Sequence, residues 1–184
     1  MRKVNEAFTL LEIMIVMVVI VFMATIIGPW LTGKKPKSEW PVVLSEFNDL
    51  VAFARQEAIA NQEIYRLFFQ ANKKEQDFVL VEKEGSDPEK PEQKIYNQVF
   101  SDYLKTKYEL PENIKMNTFY EGKVEKFEEN KGQGYCYIVP TGLVQDIMIH
   151  LTRKIGDRES KVTFKMSPFF GRFELYEGFL KHEK

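Results

Sequence analysis

Residues 7–31 read AFTLLEIMIVMVVIVFMATIIGPWL, and this stretch decides the architecture of the chain. From Phe8 to Leu31 the one ionisable side chain is Glu12. As a helix the stretch would be about 36 Å long at ~1.5 Å per residue, enough to cross a hydrocarbon core. From Ile13 to Ile27 the run is apolar except for Thr25, and no polar face recurs at helical spacing. That pattern predicts a helix that is apolar all round. A cleaved secretory signal fits less well, because its apolar region is usually only ~7–15 residues and ends in a small-x-small site. Ala24-Thr25-Ile26 does not supply one. Arg2 and Lys3 precede the segment and Lys34, Lys35 and Lys37 follow it, so the basic flanks are nearly balanced and do not orient it.

Two features interrupt the apolar run. A carboxylate in a spanning helix costs on the order of 2.5–3.5 kcal/mol near the centre and persists where it finds a partner, so Glu12 reads as a functional group. The bland alternative places it at the headgroup level near the start of the run. At the other end, Gly28-Pro29 is expected to end the rod. Pro29 has no amide hydrogen for the carbonyl of Thr25, and Gly28 adds backbone freedom. The pair reads equally well as a flexible point or as a helix stop.

Ala7-Phe8-Thr9-Leu10-Leu11-Glu12, behind a short basic leader that begins at Met1, resembles the class III leader of type IV prepilins and type II secretion pseudopilins. The resemblance implies a leader peptide of residues 1–7, cut between Ala7 and Phe8 by a membrane peptidase that then methylates the new amine of Phe8. It implies a transmembrane and assembly helix over 8–31, with Glu12 pairing with the amine of a neighbouring subunit. The family usually carries Gly before the cut; Ala7 adds one methyl group and should still fit a small-residue pocket. The physics agrees with the implied pairing. A cation and an anion in low dielectric attract strongly, and separating them is costly, so such a pair sets the axial register of one helix against another.

Downstream, residues 32–41 form a Lys/Pro/Gly connector, and an amphipathic helix is expected over about 42–61. There Leu44, Phe47, Val51, Ala54 and Ala58 recur in one apolar stripe. Strands are expected at Tyr65 to Phe69, Phe78 to Val81, Ile114 to Tyr120, Tyr135 to Val139, Asp146 to Leu151, Lys161 to Met166 and Phe173 to Tyr176. Residues 84–94, EGSDPEKPEQK, read as a surface loop, and 121–134 as a charged connection. Ile95 to Leu110 suits a short helix or an extended segment. The sum is an α+β domain over 32–184, one helix on an antiparallel sheet.

Three further segments are similar, in order, to parts of H-type minor pseudopilins and T-type minor pilins. They are Ala54-Arg55-Gln56-Glu57-Ala58-Ile59, Tyr137-Ile138-Val139-Pro140-Thr141-Gly142 and Gly171-Arg172-Phe173-Glu174-Leu175. Taken residue by residue, Arg55, Glu57 and Arg172 read as solvated faces, since surface charge usually contributes little.

The 184 residues carry 26 Lys and Arg against 27 Asp and Glu, a formal charge of −1 that argues against a general nucleic-acid binder. One cysteine, Cys136, excludes an intrachain disulfide; between Tyr135 and Tyr137 in a strand it points to the opposite face from them and reads as core. His150 and His182 show no zinc spacing, the aspartates at 77, 87, 102, 146 and 157 make no calcium loop, and no phosphate-binding or nucleophile motif occurs, so no cofactor is expected. The reading is a structural minor pseudopilin, not an enzyme, held by one pass in the inner membrane with its domain in the periplasm. Its partners would be other pseudopilins or pilins, the prepilin peptidase and an inner-membrane assembly platform. Alternatives are a minor pilin of a type IV or DNA-uptake fibre, and a membrane-anchored enzyme or sensor.

Overall fold

The computed structural model describes residues 10–31, 39–72, 75–87, 89–90 and 92–181, and the chain divides into two compact units, Met1–Glu39 and Trp40–Lys184. The first unit carries α1, Leu10–Leu31. Its helical backbone runs through Gly28 and Pro29 to Leu31. Pro29 forfeits one hydrogen bond, but its fixed φ is close to the helical value, and the helix continues to Leu31. Among the described residues no helix is long and apolar enough to cross a membrane, the side chains of α1 being described only from Leu10 to Met23. Every one of those side chains is exposed within the single chain.

The second unit opens with α2, Trp40–Asn61. It begins slightly ahead of the expected start because Pro41 is favourable in a first turn, where its missing amide would have no partner anyway. It ends at Asn61, followed by Gln62, whose φ of 56° is left-handed and whose side-chain amide donates to the carbonyl of Ile59 at 2.7 Å. Phe47, Val51, Ala54 and Ala58 of the expected stripe are buried, and Leu44 is half-buried. Trp40, Val43 and Leu50 join them. The buried stripe is wider than expected because α2 faces two sheets rather than one.

Both sheets are five-stranded and every pairing is antiparallel. The first contains β1 (Tyr65–Gln70), β2 (Phe78–Ser86), β3 (Lys94–Gln98), β4 (Lys107–Glu109) and β7 (Gln133–Ile138). Its order is β3-β2-β1-β7, with β4 pairing the first residues of β2. The second runs β10-β9-β8-β5-β6, from β5 (Ile114–Glu121), β6 (Val124–Glu125), β8 (Ile147–Ile155), β9 (Arg158–Ser167) and β10 (Arg172–Glu177). The expected loop over 84–94 is shorter, since β2 extends to Ser86 and β3 begins at Lys94. Pairing with β2 also makes the ambiguous stretch after Ile95 extended rather than helical. The short β6 lies inside the connection expected over 121–134.

One core joins α2 to both sheets. Phe47 sits at its centre, with ring centroids 5.4 Å from Phe164, 5.7 Å from Phe173, 6.1 Å from Phe69 and 6.1 Å from Tyr108. Tyr65, Leu67 and Phe69 alternate inward along β1, as period-two patterning requires. Cys136 faces the same way, fully buried, with Tyr135 and Tyr137 on the outer face as the sequence indicates.

Candidate functional site

Two places can carry function: the apolar surface of α1, and the seam by which α2 holds the turns around it. Ala7 and Phe8 lie outside the described residues. Glu12 lies in the first turn of α1, where a carboxylate is favoured by the positive end of the helix dipole. From Leu10 to Met23 the large apolar side chains are between 47% and 79% exposed. A continuous apolar surface of this kind marks a site of association with lipid or protein.

The seam was not legible as a site. Arg55 donates through Nε to the carbonyl of Gly142 at 2.7 Å and through Nη1 to that of Phe170 at 3.2 Å. It thereby brings together the three sequence segments that stand far apart in the chain. Both turns need glycine for a stated reason: Gly142 has φ +81° and Gly171 +60°, and a Cβ on either would press on Ile59 or Arg55 at 2.8–3.0 Å. Arg55 is therefore a clamp rather than the solvated face expected of it.

Asn48, seven residues earlier on α2, completes the seam. Its amide oxygen accepts the backbone amide of Phe173 at 2.6 Å, and its nitrogen donates to the carbonyl of the same residue at 3.2 Å. The edge strand β10 is thus paired by a side chain where another strand would otherwise fit. Sequence reasoning passed over Asn48. The available signal was its seven-residue spacing from Arg55, which places both on one side of a helix. Glu57 accepts a hydrogen bond from Asn61, and Arg172 lies near Glu174 and over the Phe170 ring.

The remaining candidates are structural. His150 is buried, bonded through Nδ1 to Thr118 and through Nε2, as donor, to the carbonyl of Leu180, and stacked 4.4 Å from Phe179. Asp77 accepts the amides of Met116 at 2.6 Å and Asn72 at 2.8 Å, tying β5 to the connection after β1. The open cleft of about 1170 Å³ beside it has Lys115 and Asn117 on its wall. Arg66 stacks between Tyr96 and Tyr135, 3.6 and 4.3 Å from the ring centroids, and is ion-paired to Glu82. That is a basic, aromatic cluster the sequence did not reveal. Its charge is already matched and its side chain is only 14% exposed, so it braces the sheet rather than offering a nucleic-acid surface. Burial pushes the Cys136 thiol far above its usual range. Among the described residues no group of three His, Cys, Asp or Glu side chains could hold a metal ion.

No protein-family model matches the sequence, and no curated protein matches it significantly. Among solved structures, the chain is similar to the minor pseudopilin EpsH from the type 2 secretion system of Vibrio cholerae. The TM-score is 0.51 at 11% identity, over 76% of this chain and 98% of that one. It is also matched to the type IV minor pilin FimU of Pseudomonas aeruginosa at a TM-score of 0.40 and 12% identity, over 75% of this chain and 88% of that one, a superposition too loose to argue from. The fold is the pilin-like α+β fold of a minor pseudopilin.

Proposed function

We propose that this chain is a structural minor pseudopilin of a type II secretion pseudopilus, without catalytic activity. A prepilin peptidase removes residues 1–7, methylates the amine of Phe8, and leaves the protein anchored in the inner membrane by α1 with its globular domain in the periplasm. Glu12 then pairs with the Phe8 amine of a neighbouring pseudopilin as the subunit enters the fibre. The observation that carries this reading is the likeness in fold to EpsH, which takes in nearly all of that chain.

The energetics of α1 support the same route. Moving its side chains from lipid into a seam of helices changes hydrophobic free energy little, because lipid tails are as apolar as the seam. Exposing them to water would cost on the order of 1.5–3 kcal/mol for each large side chain. The rod must therefore pass from bilayer to fibre without standing in solvent, which requires an assembly platform that extracts subunits. Mass spectrometry of the protein purified from its native membrane tests the proposal. A chain beginning at N-methyl-Phe8 is expected, whereas a chain that keeps Met1 would favour an anchored enzyme or sensor.

A further inference from the structure

We infer that the chain pairs with a second copy of itself through the edge of β3, the two strands running antiparallel to make one continuous sheet. Strand edges expose unpaired amides and carbonyls, and in this domain most edges are closed by a side chain. On β10, Asn48 takes both backbone groups of Phe173. On β7, the side-chain oxygen of Gln145 accepts the amide of Tyr137 at 3.1 Å, and the Gln145 amide donates to the Tyr137 carbonyl at 2.9 Å. On β5, Asp77 accepts the amide of Met116 at 2.6 Å and Glu125 that of Phe119 at 3.2 Å. β3 is the exception. Val99 donates to the carbonyl of Val81 on β2. Antiparallel alternation therefore turns the backbone groups of Ile95 and Asn97 toward β2 and those of Tyr96 and Gln98 outward. Among the described residues nothing bonds to these outward groups.

The open edge fits its own copy. Lysine is a usual guard of a strand edge, but the Lys94 ammonium is drawn onto Glu84 of β2 at 2.5 Å. Two-fold pairing centred on Tyr96 engages all five residues of β3, Lys94–Gln98. It sets Lys94 opposite Gln98 of the other copy and Tyr96 opposite its counterpart, so no like charges face each other. Tyr96 is already held in place, with the Arg66 guanidinium 3.6 Å from its ring centroid. Phe100, Tyr103 and Leu104 are 82%, 94% and 56% exposed and begin two residues beyond Gln98. The same pairing lays each copy's apolar loop beside the first residues of the other's β3. A lipid surface cannot match the alternating donors and acceptors of Tyr96 and Gln98, whereas a strand can. The other exposed aromatic pair, Phe169 and Phe170, leads into β10, whose edge Asn48 closes.

Five residues a side fall short of the ~20–30 of a stable complex, so the pair is transient in dilute solution and is read by trapping. The test mixes equal amounts of Lys94→Cys and Gln98→Cys chains, each the whole protein in detergent micelles, under mild oxidation. Cys136 is buried and stays out of the reaction. In the inferred register, residue 94 of one copy and 98 of the other lie ~5.5 Å apart at Cα, within disulfide reach, whereas two residues 94 lie ~14 Å apart. The mixed 94–98 disulfide should exceed each like-with-like product by about tenfold or more, where random collision gives about twofold. Tyr96→Cys, at the two-fold axis, should link to itself about tenfold faster than exposed Thr141→Cys. Random product ratios, dominant like-with-like products, or equal rates at 96 and 141 would overturn the inference. Association through α1 alone gives the random ratio, so such a failure leaves the proposed fibre role standing.

Discussion

At the scale of single residues, Arg55 and Cys136 show how environment assigns a role that residue type leaves open. The two carbonyls held by Arg55 belong to turns more than eighty residues away in the chain. Hydrogen bonds from a charged donor each contribute more than neutral ones, so Arg55→Ala should lower stability by about 2 kcal/mol in urea unfolding. Arg55→Lys should recover only part of this, because one ammonium lacks the planar fork that reaches both oxygens. Cys136 titrates higher in the folded chain than in the unfolded one, since burial disfavours the thiolate. Stability from this group is thus complete below the unfolded thiol pKa of about 8.5 and is lost as pH rises above it. Unfolding measured between pH 7 and pH 10 should show a downward slope that Cys136→Ala reduces. Thiol labelling at pH 8 should be negligible until the protein unfolds.

At the scale of elements, the two helices make opposite demands. α2 has one apolar stripe and one polar seam, so its place is set by packing on both sides. Phe47→Ala leaves a hole among four aromatic rings and should cost about 3–5 kcal/mol. Phe100→Ala, on an exposed loop, should change stability by no more than about 0.5 kcal/mol. α1 shows no preferred face, its described side chains from Leu10 to Met23 all being exposed. Glu12→Val should leave α1 in the membrane fraction yet exclude the subunit from fibres, as read by membrane fractionation and by the variant's share of sheared fibre. Incorporation at the wild-type level would contradict the pairing role.

At the scale of the whole molecule, one chain joins a domain with its own hydrophobic core to an apolar helix. Without detergent the full-length protein should run as large assemblies on size-exclusion chromatography, and a chain lacking residues 1–39 should run as a monomer. Much of this was legible beforehand. The rod follows from an unbroken apolar run, the amphipathic helix and most strands from local periodicity, and the alternation around Cys136 correctly placed it inside. Strand ends and the segment after Ile95 were not legible, because their extension depends on which neighbour supplies the backbone hydrogen bonds. The sequence by itself therefore determined an apolar rod with a single acid and a domain of one helix and antiparallel strands. Only the tertiary structure decided that the strands form two sheets, that Asn48 pairs an edge strand and that Arg55 joins two glycine turns. Side-chain periodicity records which faces avoid water, but the groups Arg55 and Asn48 grip are backbone carbonyls and amides, which every residue carries alike and which only the folded chain brings within reach.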